Sequence, residues 1–94
     1  MAISQSTLPF ISDLVHAELQ GYLPEDVHID HVTSEILPAH DGGDYVRTTV
    51  VLEDGHPDLD PRVLNRFSLH LHPLCAKLGF DMPGIAYTDK SDLP

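Results

Sequence analysis

The first regular pattern along the chain is helical. Apolar residues recur three or four positions apart between Ser6 and Tyr22, so they share one stripe of a helix. They are Ile11, Leu14, Val15, Leu19 and Tyr22. Pro9 suits the first turn, where its missing N–H costs no hydrogen bond, and Gly21 marks the end. We therefore predict an amphipathic first helix.

Two stretches rich in β-branched residues follow, and in both of them the helical spacing disappears. Residues 27–37 and 45–52 are therefore predicted to form strands. The residues between them, Asp41-Gly42-Gly43-Asp44, tolerate positive φ angles, so the two strands most simply form an antiparallel hairpin. The apolar positions of the first strand change face near Asp30 or His31, which predicts a β-bulge there.

A second helix is predicted to begin at Asp60 and Pro61, because an aspartate cap followed by proline is a common helix start. Its apolar residues again recur three or four positions apart and are Leu64, Phe67, Leu71, Leu74 and Leu78. Gly79 suits the left-handed conformation that often ends a helix. Pro73 removes one backbone hydrogen bond inside this pattern, so we expect either a kink or two short helices that meet near His72.

A short strand over residues 85–88 and a polar tail from about residue 89 complete the predicted elements. The order helix, strand, strand, helix, strand predicts an α+β fold, with the helices packed on one face of a three-stranded sheet. A chain of 94 residues has room for one hydrophobic core. Residues 1–94 are therefore predicted to form a single domain.

Alternate residues of the second predicted strand face opposite sides of the sheet. The more apolar set, which we expect to face the helices, is Val46, Thr48, Val50 and Leu52. The opposite set is Tyr45, Arg47, Thr49 and Val51. An aromatic ring, a positive charge and an apolar side chain together are typical of contact surfaces, so we predict that this set binds a partner or a second copy. A solvated face with scattered apolar residues is the alternative.

The net charge of the chain limits its partners. Fifteen acidic residues stand against five lysines and arginines, which gives a formal charge of -10 with histidine neutral. This field repels phosphate groups, so nucleic acid is not an expected partner. No apolar stretch approaches the roughly 20 residues that span a bilayer, so no membrane association is expected. Cys75 has no second cysteine to pair with and the N-terminus lacks a secretion leader, so the cytoplasm is the expected location.

Seven histidines in a short chain raise the question of a metal site. Zinc needs three or four converging ligands, usually at short fixed spacings. His28 and His31 fall on opposite sides of a strand, which is a poor arrangement. His72 and Cys75 could share a helical face and are weak candidates, although the thiol also borders the apolar stripe. We therefore expect no metal or other cofactor, and interpret the histidines as surface or packed side chains.

Catalytic motifs have little support in the sequence. A nucleophile would be Cys75 or a serine beside a histidine base, but the sequence contains no nucleophile elbow and no glycine-rich phosphate loop. We therefore favour a non-catalytic acidic interaction module that forms a homodimer or binds a basic protein. The alternative is a small enzyme or a histidine-dependent metal-binding protein.

The order of the predicted elements is similar to that of RNA-binding KH domains of the second topology. Those domains clamp nucleic acid with a G-x-x-G loop and basic flanks, which this chain does not have between its helical segments. Residues 35–67 also resemble the N-terminal domain of the ribosome maturation factor in hydrophobic spacing and turn residues. These features are generic, so no family is assigned and no functional residue is carried over.

Overall fold

A computed structural model describes residues 5–93 of the chain. Two helices and three strands share one hydrophobic core, and a single-turn 3-10 helix lies at each end of the described chain. In chain order the elements are Gln5–Thr7 (3-10), α1 (Leu8–Gln20), β1 (Ile29–Pro38), β2 (Asp44–Leu52), α2 (Pro61–Leu78), β3 (Gly84–Asp89) and Lys90–Asp92 (3-10). This order confirms the predicted α+β fold.

The sheet is mixed, with β2 between β1 and β3. β1 and β2 pair antiparallel, as the hairpin prediction requires, whereas β2 and β3 run parallel. A parallel pair needs a long crossover connection, and α2 provides it. The register of the hairpin shifts between Ile29 and His31, which confirms the predicted bulge. In the hairpin turn Gly42 has a φ of 88°, a conformation that favours glycine.

Helix α2 has the predicted ends. The Asp60 carboxylate accepts a hydrogen bond from the Arg62 backbone N–H at 2.9 Å, and Gly79 adopts the left-handed cap conformation with a φ of 88°. The helix continues through Pro73 without a break, which excludes the alternative of two short helices. Pro73 is exposed, so water reaches the side of the helix where the backbone hydrogen bond is lost. Phe67, Leu71 and Cys75 anchor both halves in the core.

The core lies between the two helices and one face of the sheet. The helix-facing set predicted for β2 is buried as expected, with Val46, Val50 and Leu52 in the main apolar cluster. Thr48, the polar member, is also fully buried. Its hydroxyl lies 2.9 Å from that of Ser34, which lies 2.7 Å from the hydroxyl of Ser12 on α1. This chain of hydroxyl groups satisfies the polar atoms that the helix-sheet contact buries.

The predicted polar tail is attached to the rest of the domain. β3 extends to Asp89, and the residues after it contact two other parts of the fold. Asp54 accepts a hydrogen bond from the Ser91 backbone N–H at 3.0 Å, and Lys90 lies 3.3 Å from the Asp30 carboxylate. Neither helix within residues 5–93 has the length and apolar character needed to cross a membrane.

Candidate functional site

A cleft of about 420 Å³ lies at one end of the domain. It is bordered by the start of α1, the first residues of β2, the C-terminal end of α2 and the loop 79–83 that leads into β3. Three segments that are distant in sequence therefore meet at this cleft, since the end of α2 and the loop 79–83 are continuous. The volume is within the range of roughly 300 to 1,000 Å³ that is typical of ligand sites in proteins.

The walls of the cleft carry exposed apolar side chains. Tyr45 from β2 and Leu78 from α2 are both exposed there, and Phe80 lies beside them. Phe80 also makes an edge-to-face contact with exposed Phe10, with the ring centroids 6.1 Å apart. Three of the five large apolar side chains that are exposed within residues 5–93 therefore lie in or next to this cleft. Such clustering is typical of interaction sites, whereas single exposed apolar residues are ordinary.

The charged side chains of the cleft are acidic. Asp44 and Asp81 line it, and both residues are exposed. His72 is the only other titratable side chain on its lining besides Tyr45, and no lysine or arginine is present among the described lining residues. The cleft therefore combines apolar walls with two carboxylates, which favours a ligand that carries a positive charge beside an apolar group.

The predicted contact set of β2 is only partly brought together. Tyr45 is exposed and lines the cleft, Arg47 is exposed farther along the strand, and Thr49 is half-buried. Val51 is only 1% exposed, so the expectation that all four side chains lie open is wrong. Val51 pairs with His31 of β1 and Thr88 of β3, at the end of the sheet where the C-terminal residues turn back. Strand alternation cannot reveal that burial.

The two weak metal-ligand candidates lie in different environments. Cys75 is 1% exposed within the apolar core, and this burial raises the pKa of its thiol. His72 is exposed at the cleft. A cysteine binds zinc as its charged thiolate, and burial in the apolar core disfavours that form of Cys75. Within the described part of the chain, no group of three or more histidine, cysteine, aspartate or glutamate side chains is arranged to hold a metal ion.

Three of the histidines pair with carboxylates. His31 contacts Asp30, and His70 on α2 lies 2.9 Å from the carboxylate of Glu18 on α1. The Nε2 atom of His56 lies 2.5 Å from Asp89, which raises the pKa of His56. The His56 and His70 pairs link different elements of the fold, and the His31 pair lies within β1, so we interpret all three as structural contacts. In the His56 and His70 pairs the histidine and its carboxylate are distant in sequence, so residue spacing alone could not predict these two contacts.

No protein-family model matches this chain, and a comparison with curated proteins finds no significant match. What this protein does is therefore inferred from the chemistry of its cleft and its surface. Sequence patterns could not reveal the cleft, because Asp44 at the start of β2 and Asp81 in the loop after α2 are far apart in the chain. The signal available in the sequence was the net charge of -10, which favours positively charged ligands.

Proposed function

We propose that this protein is a non-catalytic interaction module whose acidic cleft binds a basic and apolar segment of a protein, from another chain or from a second copy. The observation that carries the proposal is the combination of apolar walls with Asp44 and Asp81 in one cleft of about 420 Å³. Apolar burial would supply most of the affinity, and the two carboxylates would select lysine or arginine.

The rest of the molecule supports a basic ligand. The formal charge of -10 attracts cationic segments over longer distances and speeds their encounter with the cleft. Tyr45 offers an aromatic ring with few rotatable bonds, which is a common anchor in protein interfaces. We propose the cytoplasm as the location, supported by a lone cysteine that has no partner for an internal disulfide.

A non-catalytic role is favoured over a small enzyme because the cleft lacks an arranged catalytic group. His72 is its only histidine among the described lining residues. Within residues 5–93 the histidine side chains found in hydrogen bonds are His31, His56 and His70, so none is found that orients His72 toward a nucleophile or an acid. General bases are usually held in that way.

The proposal is tested with a fluorescent peptide that contains leucine and arginine residues, compared with the same peptide in which glutamate replaces arginine. We expect only the arginine peptide to bind. The double variant Asp44→Asn with Asp81→Asn should bind it roughly fivefold more weakly, since each of the two exposed ion pairs lost contributes about 0.5 kcal/mol, or about 1 kcal/mol together.

The matched control is Glu25→Gln with Glu53→Gln. Both residues are exposed and lie outside the cleft lining, and this variant changes the net charge by the same amount. It should bind the arginine peptide with little loss, because long-range attraction alone is weak at physiological salt. Equal losses in the two variants, or equal binding of both peptides, would contradict a specific role for the cleft.

A further inference from the structure

Helix α2 differs in charge from the rest of the chain. Its 18 residues, Pro61–Leu78, include no aspartate or glutamate, although the chain has 15 acidic residues. Three of the five lysines and arginines lie on it, namely Arg62, Arg66 and Lys77. The molecule therefore presents one basic helix on an otherwise acidic surface. Such separation of charge allows one copy to attract another despite the net charge that both share.

The exposed side of α2 forms a continuous stripe. Its members lie three or four positions apart and are all exposed, and we call them the outer stripe: Arg62, Arg66, Leu69, Pro73 and Ala76. Leu69 is 67% exposed, the highest value among the large apolar side chains of residues 5–93. Ala76 also lines the cleft. The outer stripe therefore runs from a basic end, across exposed apolar residues, to the acidic cleft.

This order of chemical groups is complementary to itself. When two α2 helices pair antiparallel about a two-fold axis midway between Leu69 and Pro73, Leu69 of one copy lies against Pro73 of the other. The same contact occurs twice, once on each side of the axis. The same axis sets Arg66 opposite Ala76 at the mouth of the cleft, because both lie five residues from the axis, or about 7.5 Å along the helix at 1.5 Å per residue. Interfaces built on a two-fold axis are the commonest kind in homo-oligomers, and they close after two copies.

We infer that the partner of the cleft is a second copy of this chain, bound through antiparallel pairing of the two outer stripes of α2. Arg66 of each copy then lies near Asp44 and Asp81 of the other, and each Leu69 side chain is buried against Pro73 of the other copy. Arg62 contributes less, because it already lies 3.5 Å from its own Asp60. This inference rests on the proposed function and names the partner for the same cleft.

The oligomeric state of the full chain tests the inference by analytical ultracentrifugation over a wide range of concentration. The wild type should approach twice the chain mass of 10.4 kDa as concentration rises. Leu69→Asp should remain monomeric and keep its fold, since the side chain is exposed. A wild type that stays monomeric throughout would overturn the inference.

A charge exchange tests the pairing itself. Arg66→Glu and Asp81→Lys should each weaken dimerisation by about tenfold, because each places like charges at both symmetric contacts. The combined variant should recover most of the loss, since the reversed charges again face each other. Lys90→Glu, at an exposed position after β3, makes the same change in net charge as Arg66→Glu but lies outside α2 and the cleft lining, and it should dimerise like the wild type. A dimer that all the α2 variants leave unchanged would place the interface elsewhere and overturn the inference.

The monomeric variant Leu69→Asp separates this inference from the proposed function. Its cleft is unoccupied by a second copy, so it should bind the arginine peptide if the cleft recognises basic segments. Peptide binding together with a monomeric wild type would leave the proposed function in place and assign the cleft to a different protein. No binding by this variant would contradict the proposed function, whatever the oligomeric state.

Discussion

The Nε2 atom of His56 lies 2.5 Å from the Oδ1 atom of Asp89, although 33 residues separate them in the chain. The other ring nitrogen, Nδ1, lies 2.7 Å from the carbonyl oxygen of Pro57. Both neighbours accept hydrogen bonds and neither donates one. Only the doubly protonated imidazolium donates to both, so this geometry favours the charged ring. The contact joins the loop after β2 to the end of β3.

The His56 contact should make stability depend on pH. The hydrogen bond to Asp89 is the main cause that raises the pKa of His56 above 6.5, and the Pro57 carbonyl and nearby Asp54 act in the same direction. Because the folded pKa is the higher one, this stabilisation is complete below about pH 6.5 while Asp89 is ionised. It is lost as the pH rises through the folded pKa.

We therefore expect His56→Gln to destabilise the protein more at about pH 6 than at about pH 9. Urea unfolding at both values measures the difference from the wild type. His40→Gln is the control, because His40 is exposed in the hairpin turn. A destabilisation by His56→Gln that is the same at both pH values would contradict a charged His56.

Phe67 should be a main source of stability in α2. Its side chain is fully buried in the core, and its ring lies 5.7 Å from that of Tyr22. Phe67→Ala should lower the free energy of unfolding by about 3 to 5 kcal/mol. Leu69→Ala, on the exposed side of the same helix, should change it by less than about 0.5 kcal/mol in dilute protein. A loss below about 1 kcal/mol for Phe67→Ala in denaturant melts would contradict its place in the core.

Among the three hydroxyl groups between α1 and the sheet, the middle one, Ser34, should contribute most to the free energy of unfolding. Ser34 contacts both Ser12 and Thr48, so Ser34→Ala removes a partner from two hydroxyl groups at once. We expect it to cost about 1 to 2 kcal/mol, and Thr48→Val to cost less because Ser34 and Ser12 remain paired. Chemical denaturation of both variants checks the order. The opposite order would show that shape, and not hydrogen bonding, dominates at this contact.

The thiol of Cys75 should be protected in the folded protein. It is buried in the core and burial raises its pKa, so little thiolate is present and reagents cannot reach it. A thiol reagent such as DTNB should react at least about a hundredfold faster after unfolding in guanidinium. Similar rates in the native and unfolded protein would contradict the buried position and reopen a role for Cys75 in metal binding or catalysis.

The sequence by itself determined the elements whose signals are local. The 3-4 spacing of apolar residues defined both helices, and Asp60 with Gly79 defined the ends of α2. Alternation along β2 identified its buried face, including Thr48. These predictions succeeded because each depends on the geometry of one element and on residues close together in the chain.

Only the tertiary structure decided which distant residues meet. The cleft brings together Asp44, the first residue of β2, and Asp81 in the loop after α2. His56 meets Asp89 across the end of the sheet. Val51 is buried although alternation places it opposite the helix-facing set. No local pattern encodes these contacts, because they depend on the parallel pairing of β3 and on the path of the residues after it. The acid-free segment of α2 was visible in the sequence, but its exposure was known only from the packing of the helix.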